Sequence, residues 1–301
     1  MSLDSALRTI DEFTGAADGR IHAWLAIGTP RGTAADFHRE VGEAAAQHGG
    51  LGITMHCAEA PKDLEIFHEH YNCSPMQFCE NQKLATPKTV LAHMVNLDFD
   101  VDAEILQRTG TTVAHNPSSN CKLGSGIAQV VEMLDRGINV SLGTDGAPCA
   151  NTYDMIREMH LASLVQSGKH STAGILSATT VLEMATINGA KALGLENEIG
   201  SLEIGKKADF VVVNPYGLDA GATPFDSSLV LNGGMNPVTA LVHSCTGRDV
   251  EMVVVDGKVL ISRGKLLNVD EGQLVQQARA ASQGIRQRSG IMAQKVAWPI
   301  K

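Results

Sequence analysis

The chain has 301 residues, of which 44% are hydrophobic and 4% aromatic, with a formal net charge of −9. That apolar content supports a packed core and excludes a disordered chain, while an acidic balance without a basic stripe excludes a nucleic-acid surface. The cysteines at 57, 73, 79, 121, 149 and 245 form no close CxxC pair. Free thiols in a reducing cytoplasm are therefore expected rather than a disulfide scaffold. There is neither a signal peptide nor an apolar run long enough to span a bilayer, so a cytoplasmic protein without a membrane partner is expected.

The opening "MSLDSALRTI" reads as a helix start. From residue 20 to about 195, short apolar runs alternate with longer amphipathic stretches, the rhythm of βα units. Strands are expected at 21–28, 51–56, 89–93, 111–115 and 138–145. Between them lie the helical patterns "DFHREVGEAAAQHG", "KDLEIFHEHYN", "DAEILQRTG" and "IAQVVEMLDRG", several closing on a C-terminal glycine. Further helices are expected near 153–166 and 177–194. The composition then shifts. "IGSLEIGKKADFVVVNP" reads as a turn and a strand pair, and "VEMVVVDGKVLISRGKLL" as a hairpin turning at Asp256–Gly257. The tail "QLVQQARAASQGIRQRSG" reads as a polar helix. The domains expected are thus an α/β portion over 1–197, part of a small β domain over 198–268, and a helical tail over 269–301.

Chemistry gathers at strand ends. His56, His93, His115 and Asp145 each close an expected strand at its carboxyl end. In a parallel α/β barrel that is the face where active sites are built. One such histidine is more often a core residue than a ligand, and an aspartate in "TDGAP" is often a turn residue. Four in succession are not predicted by packing. A divalent zinc or iron ion takes imidazole and carboxylate ligands and leaves a position for water, whose proton a nearby carboxylate must carry. Glu59, three residues beyond His56, is placed for that shuttle.

The segments "MHCAE" (55–59), "LAHMVNL" (91–97), "VAHNPSSNCKLGSGIA" (113–128), "LGTDGAPCANTYDMIREM" (142–159) and "ATINGAKALGLENEIGSLEIGKKADFVVV" (185–213) resemble the amidohydrolase superfamily. The branch resembled holds guanine deaminase, methylthioadenosine/S-adenosylhomocysteine deaminase and the triazine hydrolases. The resemblance runs from about residue 20 to 270. It implies an α/β fold, an incomplete TIM-type (β/α) barrel of about the last five βα units, with part of a small β-sandwich domain at the C-terminal side. It also implies a hydrolase acting on C–N bonds, which deaminates a purine-, pyrimidine- or triazine-like heterocycle by metal-activated water, with Zn2+ or Fe2+ as cofactor. His56 and Asp145 would be metal ligands. Glu59 would carry the proton and contact the substrate, His93 would orient water or substrate, and Asp145 would also act as base. His115 and Asn116 would support the substrate pocket. The expected partners are a small-molecule substrate and further copies in a homo-oligomer.

The family's site also uses a His-x-His pair on the first barrel strand, and the first three βα units and that pair are not matched here. His68 and His70 form the one His-x-His present. They lie in a helical pattern, where residues two apart point in different directions, so a solvated helix face is expected instead. After the fourth strand, nucleoside-deaminase relatives carry a histidine where this chain has "GTPRGTAADF" with Arg31. The alternative reading is a shortened, catalytically inactive relative, acting as a structural or interaction protein.

Overall fold

The computed structural model describes residues 2–215 and 236–290. Five strands, β1 (Leu25–Ile27), β2 (Ile53–Cys57), β3 (Thr89–His93), β4 (Thr112–His115) and β5 (Val140–Leu142), form a parallel sheet in chain order. Helices Ala35–Gln47, Phe99–Thr109 and Val130–Asp135 return the chain between strands. Ile53, Met55, Leu91, Val113 and Val140 are buried in one core with Val41, Leu106 and Met133 from these helices. The helix Phe99–Thr109 stops at Gly110, whose φ of +68° is one that glycine adopts without penalty.

The opposite face of the sheet is different. His56, Ala92, Ala114 and Ser141 fall in one row across β2 to β5. Small residues dominate that row, and on β1 and β2 Ala26, Thr54 and His56 are exposed. Among the described residues β1 and β5 are not paired with each other, so the sheet is open.

Several elements depart from the sequence expectation. β5 ends at Leu142, which leaves Asp145 on a turn rather than on the strand. The helix expected over 177–194 is two helices, Ala178–Ala185 and Ile187–Leu193, broken at Thr186 (φ −128°, ψ −93°). The Thr186 hydroxyl donates to the Leu182 carbonyl at 2.6 Å, the kind of local side-chain bond that competes with helix continuation. The expected strand pair near 198–213 is a single strand.

That strand, β6 (Phe210–Val213), joins β7 (Val250–Val255), β8 (Lys258–Ser262) and β9 (Lys265–Leu266) in an antiparallel sheet. The Asp256–Gly257 hairpin is present, both residues at positive φ (+50° and +73°). Arg263–Gly264 repeats the arrangement (+51° and +69°) and adds β9, which the sequence reading missed. The tail forms the helix Glu271–Ser289, capped by the Asp270 side chain on the Gln273 N–H. Residues 291–301 of the expected tail, and 216–235 within the expected β domain, lie outside the described residues. No described helix is long and apolar enough to cross a membrane. All six cysteines are free.

Candidate metal centre

His56 is the penultimate residue of β2 and points along the open face of the sheet. His93 ends β3 opposite Cys57, so by strand alternation it belongs to the other face. The backbone resolves the conflict. His93 has φ of +79° and Met94 of +47°, conformations that cost non-glycine residues of order 1–3 kcal/mol each and persist where the surroundings impose them. Strand geometry ends there, and the His93 ring lies 5.1 Å, centre to centre, from that of His56. Asp145, on the turn after β5, is also left-handed (+58°). One ligand atom from each of His56, His93 and Asp145 lies within 4.8 Å of the others.

Asp145 and His93 are held by neighbours on one short helix, Pro117–Lys122. Ser119 Oγ donates to Asp145 Oδ2 at 2.6 Å. His93 Nδ1 donates to Asn120 Oδ1 at 2.8 Å. Both Ser119 and Asn120 are buried. Glu158, buried in the following long helix Met155–His170, accepts the Ser118 N–H at 3.1 Å and seats the short helix. Burial alone would raise the Asp145 carboxyl, but bonds from Ser119 and from the Gly146 N–H, with His93 nearby, hold it below the ordinary aspartate range.

Donation from Nδ1 leaves Nε2 as the lone-pair nitrogen of His93. That atom is buried and has no hydrogen-bond partner; Glu59 Oε1 stands 3.9 Å away and Asp145 Oδ2 4.0 Å. An orphaned imidazole nitrogen between two carboxylates and a second imidazole is what a divalent ion would satisfy. Donor atoms within 4.8 Å of one another, two imidazoles and a carboxylate, are the set that zinc takes. The residues therefore fit a metal.

Glu59 lies just beyond β2. Its carboxylate accepts from Arg31 Nη2 at 2.7 Å, and its carbonyl accepts from Asn96 Nδ2 at 2.8 Å. His115 does not join the cluster. It is buried, neither ring nitrogen has a partner, and burial foremost, with His93 and Lys169 adding, lowers its pKa to about 3. Asn116 caps the Pro117–Lys122 helix; its Nδ2 donates to the Ala114 carbonyl at 3.2 Å. Its Oδ1 lies 2.5 Å from where a Cβ at Gly143 would stand, so any side chain there would displace the Asn116 amide. His68 and His70 sit on a π-helical turn, Phe67–Tyr71, both exposed, with His68 Nε2 3.0 Å from Asp98 Oδ2 and neither in the cluster. Sequence reasoning missed Arg31, Ser119 and Asn120 as parts of the centre. Pro117 at the first helical position was the available signal that "NPSSN" is a helix start and not a loop.

A profile of the amidohydrolase family matches residues 2–260. The chain belongs to the amidohydrolase family. This amidohydrolase chain is 39% identical over 267 residues to a 5-methylthioadenosine/S-adenosylhomocysteine deaminase of Desulforudis audaxviator, covering 88% of this chain and 58% of that protein. It is 38% identical over 291 residues to a 5′-deoxyadenosine deaminase of Methanosarcina acetivorans, covering 95% and 63%. Among solved structures, a zinc-bound adenosine deaminase from Xanthomonas campestris superposes with a TM-score of 0.86 at 26% identity, covering 94% of this chain and 61% of that one. A zinc-complexed atrazine chlorohydrolase from Arthrobacter aurescens gives 0.81 at 25% identity, covering 92% and 58%. The chain thus spans about three-fifths of the length of these relatives.

Proposed function

We propose that this chain carries the metal centre and proton-transfer residues of a hydrolytic deaminase acting on the amino group of an adenine nucleoside. The buried, unpartnered Nε2 of His93, flanked by His56, Asp145 and Glu59, is the observation that carries this reading. His56, His93 and Asp145 would hold the ion, with zinc favoured over iron by the zinc-bound neighbours. A divalent ion supplies, when bound, a water acidic enough to lose its proton near neutral pH.

The chain's own residues then divide the work. Asp145, held below the ordinary aspartate range by the Ser119 and Gly146 bonds, would take one proton from the water and return it to the departing amino group. Glu59, its Oε1 facing His93, would take the water's other proton and deliver it to the ring nitrogen beside the carbon under attack. His115 and Asn116 shape the floor beneath the pocket. The leaving group is ammonia, and the partner is a small molecule.

Incubating the full chain, loaded with one equivalent of Zn2+, with adenosine, 5′-deoxyadenosine, 5′-methylthioadenosine and S-adenosylhomocysteine tests the reading. Loss of the adenine absorbance band with release of ammonia is expected for at least one. No ammonia from any of them, with zinc bound, would sink it.

One observation favours a second reading. Ala26, Thr54 and His56 are exposed on the inner face of the parallel sheet, and parallel sheets are covered on both faces. In that reading the chain is a non-catalytic scaffold whose open face another polypeptide covers. Metal content separates the two, because a scaffold without a working centre would purify free of bound zinc.

A further inference from the structure

Arg31 follows β1, and no family motif quoted above includes it. The loop that carries it is pinned on its β1 side. The buried His38 joins the Gly28 carbonyl at 3.0 Å, and Pro30 is buried. From there the guanidinium reaches the loop after β2, where it donates to one carboxylate and forms an ion pair with a second. Nη2 lies 2.7 Å from Glu59 Oε2, and Nε lies 3.0 Å from Asp63 Oδ1. Asp63 is itself buried, and its Oδ2 accepts the backbone N–H groups of Glu59 (2.8 Å) and Ala60 (3.0 Å). The Glu59 main chain is therefore fixed by Asp63, and its side chain by Arg31.

The two oxygens of Glu59 are sorted by this arrangement. Oε2 is occupied by Arg31, and Oε1 is left facing His93 Nε2. An exposed ion pair of this type contributes little to stability. Here the side chain of Glu59 is 14% exposed and that of Asp63 2%, so the grip fixes geometry in a largely enclosed space. Nη2 donates one hydrogen bond to Glu59, and Nε stands beside Asp63 as an ion pair, so a lysine can supply both the charge and the single donor, whereas glutamine lacks the charge.

We propose that Arg31 is a positioning residue for Glu59, holding the carboxylate turned so that Oε1, and not Oε2, faces the bound reactants. The proposal rests on Glu59 as the proton carrier in the reading above. Its test has one arm that needs no turnover. Crystal structures of the wild type, R31Q and R31K are compared. In R31Q the Glu59 carboxylate leaves its place opposite His93 Nε2; in R31K it stays. A Glu59 side chain unmoved in R31Q would overturn the proposal.

The second arm is kinetic. R31Q lowers kcat about 10- to 100-fold while KM stays within about twofold, R31K recovers most of the loss, and zinc content is unchanged. In an E59Q background R31Q costs nothing further. An additive loss there, or a rise in KM alone, would place Arg31 in substrate binding and defeat the positioning role. If the wild type deaminates none of the nucleosides, the deaminase reading fails, and the crystallographic arm alone decides the role of Arg31.

Discussion

The two sheets use the same unusual backbone conformation for different ends. In the antiparallel sheet, positive φ occurs at Asp256–Gly257 and Arg263–Gly264, where two-residue hairpins demand it and each pair includes a glycine. At the carboxyl edge of the parallel sheet it occurs at Ala58, His93, Met94 and Asp145, with no glycine among them. A hairpin needs the conformation and takes the residue that adopts it most readily. At the candidate metal centre His93 and Asp145 keep their side chains in spite of the cost of that conformation, and the backbone accommodates them.

The contrast can be broken most sharply at the ligands. Asp145→Asn should leave metal content at background, measured on the purified protein by mass spectrometry, and His93→Ala should do the same. Retained stoichiometric zinc would detach these residues from the ion. Glu59→Gln is expected to abolish turnover, by about a thousandfold or more, with zinc still bound. Loss of metal in that variant would make Glu59 a ligand and not a proton carrier.

One step outward, Ser119→Ala and Asn120→Ala should weaken zinc affinity about 10- to 100-fold, read by competition with a chelating dye. Unchanged affinity would mean that the short helix supports the fold but not the ligands.

Acid stability probes the buried histidine next to the centre. His115 has a folded pKa of about 3, lowered by burial first, against about 6.5 when unfolded. Between those values the unfolded chain binds the extra proton. The stabilisation His115 gives above pH 6.5 is therefore lost as pH falls, on the order of a few kcal/mol by pH 4. Asp102 opposes this. Burial raises its pKa to about 6 despite bonds from Ser74, Met76 and Asp98, so its folded form takes up a proton first and gains stability as pH falls below that value. Urea unfolding from pH 7 to 4 should show a flatter acid limb in His115→Phe and a steeper one in Asp102→Asn.

The smallest effect tests the strain itself. His93→Gly should be more stable than His93→Ala by about 1 kcal/mol, and Gly257→Ala less stable than the wild type by a similar amount. Equal stabilities at position 93 would remove the idea that the strand end is strained.

Much of this was legible in the sequence because the signals are local. β3 was placed at both ends by an apolar run that closes on His93, and the Asp256–Gly257 turn was read from two letters. His56, His93 and Asp145 were singled out because each ends or follows such a run. What stayed hidden depends on contacts across the chain. Arg31 meets Glu59 from 28 residues away, and Asn120 meets His93 from 27. No spacing rule announces either pair. That the His93 ring lies beside that of His56 was also unreadable, since period-two alternation assigns it to the opposite face until the backbone turn is known.

The short Pro117–Lys122 helix has a mechanical consequence. Ser119 and Asn120 are consecutive, yet they hold side chains that arrive from two different strands, β3 and the turn after β5. Asp145 and His93 are thereby indexed to one rigid turn of helix, and thermal breathing of either loop moves them together or breaks a buried bond. An ion drawing His93 and Asp145 closer together would have to carry the short helix with them or break one of its two bonds, so the helix as well as the ligands would set the cost of closing the site.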